Sequence, residues 1–395
     1  MTELEIAIPI LADRHFPVSV AFDAARAVKA SGVIDYIQGW DHKAGWSPPS
    51  LWTAENAPLH AMRPDSDSLP DQFTMLSAMA AAAPGIGTTI STDSIRKGPA
   101  EFMQTMLTMA NITEGRAQFH IGAGEIAQCK PYGWKRSEGM RRLEDTFRLT
   151  KLFWEEDEPF SFDGHFWHLD RATLGTARAF KPQIWGIGGG PKLIDLVTSY
   201  AEGFGTMAPW VAYSPERWSE LITQIRESLE RKGRDPDDFA YGIYASMLLH
   251  DDDEIIRRAQ SNPLIQWMTA CLGRFKMADW KIEGIEPPLP LDWHYSLKLL
   301  AHHIAPDEVA ATLSKVTPQM SEAAWFTGSP AAVAADLQGY IDAGATWISM
   351  CDILPMVLPV EEAPAAMGRS FELAGRLKAY ATARRCRDDQ LRAPS

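Results

Sequence analysis

Eight short apolar runs, seven of them followed by a stretch with helical spacing, recur along this chain and narrow its fold more than any other feature. The runs are EIAIPI (5–10), VIDYIQGW (33–40), IGTTIST (86–92), RAQFHIGAG (116–124), QIWGIGGG (183–190), GFGTMAP (203–209), FAYGIYASMLL (239–249) and TWISMCDIL (346–354). They are rich in β-branched and aromatic residues, as buried strands are. Helical spacing is read at 17–32, 71–83, 99–113, 138–154, 191–201, 214–233 and 329–344. Strands alternating with helices predict a parallel sheet covered by helices, and eight of them fit a (β/α)8 barrel better than a doubly wound sheet.

The alternation predicts one barrel domain over residues 1–395. Residues 158–170 read as a hairpin with an Asp-Gly turn. Residues 255–325, long and rich in Trp and Pro, read as an insertion in the barrel. Residues 385–395 read as a polar, frayed tail.

With a net charge of −13, nothing supplies a basic face, and a nucleic-acid partner is excluded. A local cluster of donors for a small anion is not. Four scattered cysteines (129, 271, 351 and 386) form no CxxC pair, so no zinc site or disulfide framework is expected, and reduced cytoplasmic thiols are. No signal-peptide pattern and no apolar run near the ~18 residues of a membrane span are present.

In such a barrel, ligands meet the C-terminal ends of the strands. Four stretches fall there: GWDHKAGW (39–46), TTISTD (88–93), IGAGE (121–125) and GIGGGPK (186–192). His42 at a strand end can exchange protons near neutral pH, with Asp41 to orient it and Trp46 close by; the same pair also suits a structural turn. Gly188, Gly189 and Gly190 precede a helix opening with Pro191, Lys192 and Leu193, a pattern for anion binding or for a plain strand-to-helix turn. Gly122, Ala123 and Gly124 let a flat ring approach the backbone. Glu125 is either a proton-transfer group or a helix-capping carboxylate. His302 and His303 are adjacent and diverge on a helix, which favours a structural role over metal binding.

Together and in this order, these stretches resemble the bacterial luciferase-like superfamily, and within it the branch using the deazaflavin coenzyme F(420). The cofactor-site stretches are similar to those of F(420)-dependent glucose-6-phosphate dehydrogenases, and the whole chain to mycobacterial phthiodiolone ketoreductases. The resemblance implies an active site of His42, Glu125 and Trp46. It places Asp41, Gly122–Gly124, Gln128 and the 188–193 turn around the cofactor, and a non-prolyl cis peptide at Thr89–Ile90 behind the deazaflavin. The implied activity is hydride transfer between the deazaflavin C5 and a carbonyl, alcohol or activated double bond. The middle strands are apolar where the sugar-phosphate enzymes are basic, so an uncharged, lipid-like small molecule is the expected substrate. The resemblance further implies a homodimer. The alternatives are an oxygen-using monooxygenase with reduced FMN, and a deazaflavin-binding protein without catalysis.

Overall fold

The computed structural model describes residues 3–392. Eight parallel strands form its centre: β1 (Glu5–Pro9), β2 (Tyr36–Trp40), β3 (Gly87–Asp93), β4 (Ala117–Gly122), β5 (Gln183–Ile187), β6 (Gly203–Ala208), β7 (Ala240–Leu249) and β8 (Trp347–Asp352). Each pairs with the next, and β8 returns to β1, with Glu5 opposite Trp347 and Ile6 opposite Ile348. The ring is therefore closed, and the fold is the (β/α)8 barrel read from the alternation. A short strand, Phe326–Gly328, adds to the outer end of β7.

Each strand leads to a covering helix: α1 (Val18–Ser31), α2 (Gln72–Ala82), α3 (Pro99–Ile112), α4 (Gly139–Glu155), α5 (Pro191–Tyr200), α6 (Pro215–Arg231), α7 (Pro330–Asp342) and α8 (Ala363–Arg392). Their starts are written locally. Asp71 accepts from the Thr74 N–H (2.8 Å), Ser214 from Arg217 (3.2 Å) and Ser329 from Ala332 (3.3 Å), each satisfying a donor the first turn leaves free. α8 was not among the helices read from the sequence. Much of the span expected to fray, from residue 385, belongs to it, and residues 393–395 lie outside the described residues. The hairpin forms between Phe160–Asp163 and His168–Ala172, but around a longer turn than Asp-Gly alone. Buried Asp145 of α4 accepts from the N–H groups of His165 (3.0 Å) and Phe166 (2.8 Å), which holds the turn open.

Inside the barrel, aromatic rings take the place of an aliphatic filling. The His120 ring stacks on Trp185 at 4.4 Å and meets Trp347 at 5.0 Å, and its Nδ1 lies 2.5 Å from the Tyr244 hydroxyl. Burial holds the imidazole far below the ordinary 6.5, at about 3. It stays neutral in the folded protein while the unfolded chain binds a proton below pH 6.5. Stability must therefore fall as pH drops from about 6.5 to about 3, by up to ~1.4 kcal/mol per pH unit from this group alone. We predict that His120→Gln loses that part of the acid limb in urea titrations run across this range. Superimposable pH profiles for the two proteins would refute the assignment.

Between β7 and Phe326 lie six short helices: Asp253–Gln260, Pro263–Leu272, Asp279–Ile282, Tyr295–Lys298, Pro306–Leu313 and Pro318–Ala324. They own a second apolar core, built on Trp267, Met268, Trp280 and Trp325, into which Trp210 from the end of β6 and Trp52 from the loop after β2 also pack. Buried Arg274 joins this unit to the barrel. It pairs with Glu283 (2.6 Å) and donates to the carbonyls of Pro209 (3.3 Å) and Ala323 (3.0 Å). The segment is thus anchored over the outer ends of β2, β6 and β7, where a barrel takes its ligands.

Candidate active site

A cavity of about 470 Å³ opens at the C-terminal ends of the strands, beneath the inserted helices. That size suits a small-molecule site. The ends of β2 to β6 supply its floor and walls, and Leu272, Phe275, His294 and Tyr295 of the insertion supply its outer side.

β2 delivers Asp41 and His42 into this cavity, but not as a pair. The buried Asp41 carboxylate accepts from Thr92 Oγ1 (2.7 Å) and faces Arg96 Nη2 (3.1 Å). Arg96 also bonds Asp93 through Nε (2.5 Å) and the Asp41 carbonyl (2.6 Å). Asp41 is therefore consumed in fixing the loop, which corrects the expectation that it orients His42. Glu125 faces the imidazole instead, with its Oε1 3.8 Å from His42 Nε2. Burial pulls the His42 pKa below 6.5, partly opposed by the Glu125 charge. His42 is neutral at pH 7 in this setting.

Trp46 donates its indole N–H to Glu125 Oε2 (3.0 Å), and its ring meets His42 edge-on at 5.1 Å. Its carbonyl is held by the Trp267 indole of the insertion (2.9 Å). Tyr295 approaches the same carboxylate, and burial followed by the Glu125 charge pushes its phenol well above 10. Of the three tryptophans in residues 39–52, Trp40 and Trp46 line the cavity, while Trp52 is buried away from it with its N–H on the Arg63 carbonyl (2.8 Å).

Gly122, Ala123 and Gly124 line the cavity beside Glu125. Gln128 reaches it too, but its amide is spent on the loop after β2. It accepts from the Lys43 N–H (2.7 Å) and donates to the Ala44 carbonyl (2.7 Å), so it positions the loop that carries Trp46. Thr89 and Ile90 do not reach the cavity. Ile90 is fully buried in the barrel core and Thr89 bonds Gln118 (2.8 Å). The cis peptide expected there is also absent. β3 keeps unbroken register with β2 and β4 through Thr89 and Ile90, and the cis bond among the described residues is Ala208–Pro209. Ser91, Thr92 and Asp93 are the β3 residues that face the ligand space.

The turn from Gly188 to Leu193 borders the cavity throughout. Gly188 adopts φ +147, a conformation that glycine accepts freely. A Cβ there would also stand 2.8 Å from Leu193 Cδ2. Its N–H bonds the Gly205 carbonyl (3.1 Å), which leaves the amides of Gly189, Gly190 and Lys192 for a ligand at the start of α5. Nothing lies within 4 Å of where a Gly190 Cβ would be, so the approach is open. A helix start with free amides and a lysine in the first turn fits a phosphate.

His302 and His303 take no part in this site. His302 pairs with Asp67, whose other oxygen accepts from the Gly45 N–H (2.7 Å), and no group of metal-ligating side chains occurs among the described residues. Three cysteines are buried, and all four are free. No helix among the described residues is long and apolar enough to cross a membrane.

A closed barrel whose mouth brings His42, Glu125 and a glycine-rich turn to one cavity has the architecture of an enzyme barrel. Residues 50–346 match the luciferase-like monooxygenase family, and the chain belongs to it. It is 26% identical over 342 residues to the phthiodiolone/phenolphthiodiolone dimycocerosates ketoreductase of Mycobacterium kansasii, covering 85% of this chain and 91% of that one. It is 25% identical over 323 residues to the F(420)-dependent glucose-6-phosphate dehydrogenase of Kineococcus radiotolerans, covering 80% of each. Among solved structures, an F(420)-dependent secondary alcohol dehydrogenase in complex with an F(420)-acetone adduct superposes with a TM-score of 0.66 at 17% identity, over 90% of this chain and 98% of that one. A riboflavin lyase with modified FMN reaches 0.65 at 12% identity, over 97% and 92%. These two likenesses establish the shared fold.

Proposed function

We propose that this protein is an F(420)-dependent oxidoreductase acting on the carbonyl or alcohol of an apolar small molecule. The observation that carries the reading is a single cavity lined both by His42 and Glu125 and by the glycine-rich turn at Gly188–Lys192. The curated relatives support it by their named cofactor and ketone chemistry. A bound deazaflavin would supply the hydride acceptor or donor.

The chain supplies the rest. The amides of Gly189, Gly190 and Lys192 would take the cofactor phosphate, and the Gly122–Gly124 backbone would face its ring. Trp46 holds the Glu125 carboxylate in place. His42 Nε2 would give a proton to the substrate oxygen as hydride reaches its carbon, or take one in the reverse direction. Glu125 beside it would stabilise the protonated ring. Met207, Trp210, Leu272 and Phe275 give the cavity apolar walls, which exclude water and match an apolar substrate body.

Titration of the purified protein with F(420) and with FMN tests the cofactor. F(420) is expected to bind at least about tenfold more tightly, a difference of ~1.4 kcal/mol. Equal or reversed affinities would sink this reading and favour the monooxygenase chemistry of other family members.

A further inference from the structure

Arg136 is a cation in the cavity that makes no ion pair with any described carboxylate. It lies in a single turn of 3-10 helix, Arg136–Glu138, that leads into α4, and it lines the same space as His42, Trp46 and Glu125. Its Nε is shut away from solvent with no hydrogen-bond partner. The side chain makes no hydrogen bond or ion pair with any described residue.

Three neighbouring cations, Arg96, Arg142 and Lys135, each have a carboxylate partner. Arg96 is held by Asp93 and Asp41. Glu138, two residues beyond Arg136, is taken by Arg142 (2.8 Å) and Lys135 (3.9 Å). Leaving a half-buried guanidinium unmatched carries a desolvation cost, and burial lowers its pKa accordingly. A ligand oxygen would offset that cost.

The guanidinium is also held in place. A Cβ on Gly139 would stand 3.1 Å from its Nη1 and 1.8 Å from the Ala123 carbonyl. A Cβ on Gly124 would stand 3.6 Å from its Cδ. Two glycines thus make a slot of backbone in which the arginine stem rests. Arg136 shares the cavity lining with Glu125, His294 and Tyr295, and burial followed by the Arg136 charge lowers His294 to about 4.

We infer that Arg136 is an anion subsite of this cavity, separate from the Gly188–Lys192 cradle, which takes a carboxylate or phosphate oxygen of a bound molecule. Arginine is suited to this because its planar fork can bond both oxygens of such a group. Two sources share that chemistry: an acidic head on an otherwise apolar substrate, and the acidic tail of the cofactor. The second source rests on the F(420) reading; the first does not.

The test uses matched charged and neutral probes on wild type, Arg136→Ala and Arg136→Lys, with binding followed by tryptophan fluorescence. One arm compares F(420) with its core deazaflavin, which lacks the phosphate and tail. The other compares octanoate with octanol. Wild type is expected to hold one charged probe about ten- to a hundredfold better than Arg136→Ala does, as for a charge-assisted contact. The neutral partner should bind both alike, and Arg136→Lys should recover part of the difference. Loss confined to F(420) assigns the cofactor tail, and loss confined to octanoate assigns the substrate. If neither charged probe loses affinity relative to its neutral partner, in a variant with a wild-type circular dichroism spectrum, the subsite is overturned. A failure of the cofactor reading appears differently, as equal binding of F(420) and FMN by the wild type. The octanoate arm still reports on Arg136 in that event.

Discussion

Replacing His42 by alanine is expected to lower turnover by about 10²–10⁴-fold, the usual worth of general acid–base catalysis, with little change in F(420) affinity. The reason is geometric. His42 Nε2 faces the cavity 3.8 Å from Glu125, whose carboxylate Trp46 fixes at 3.0 Å. Glu125→Gln keeps an oxygen for the Trp46 indole and removes only the charge, so it should cost less. The pH profile adds an independent readout. Burial sets the His42 pKa below 6.5, so the protonated form grows as pH falls below neutrality. Reduction rate should therefore rise from pH 7 downward. Glu125 raises that pKa, so Glu125→Gln should move the profile to lower pH. If Glu125→Gln abolishes turnover while His42→Ala is nearly silent, the roles are reversed. If both are silent with cofactor bound, the proton comes from water.

The second large effect concerns the support beneath the site. Arg96→Ala is expected to destabilise the fold by ~3–5 kcal/mol, because it leaves two buried carboxylates without their cation. Arg96 and Asp93 side chains are each 4% exposed, and Asp41 is 8% exposed. Arg96 meets both carboxylates and the Asp41 carbonyl at once, so lysine, with a single compact charge, should restore only part of the loss. Urea denaturation near neutral pH measures this directly. A loss below about 1 kcal/mol, typical of an exposed pair, would show that the cluster is solvated. Variants that still fold should lose turnover as well, since the same arginine fixes the residue preceding His42.

The strands and seven of the helices could be read because their signals are local. Alternating runs of β-branched residues, caps such as Asp71 and Ser214, and the Gly-Gly-Gly-Pro turn all act over a few neighbours. The last helix, Ala363–Arg392, has only weak apolar spacing along a long polar stretch and so gives no comparable local signal. The turn at 188–193 was legible as a candidate anion cradle for the same local reason, and its residues border the cavity.

Partners across the mouth were a different matter. Asp41 stands next to His42 in the chain and was read as its partner, yet strand pleating and Arg96 turn it elsewhere. Glu125, the group that does face His42, lies 83 positions later by residue number. Gln128 was placed at the site, but its task of holding residues 43 and 44 appears only in three dimensions. Tyr295, Phe275 and Arg136 carried no signal that singled them out. The DWHY stretch at 292–295 hinted at an aromatic cluster without saying what it would cover.

By itself, the sequence determined the barrel, the end of it that takes ligands, and the residue types available there, because backbone periodicity and glycine and proline geometry act between near neighbours. Tertiary structure alone decided which carboxylate meets His42, which arginine is left unmatched, and what closes the cavity. Those contacts join segments far apart in the chain, 83 positions between His42 and Glu125 and 221 between Trp46 and Trp267, and only the closed ring and the docking of the inserted helices bring them together.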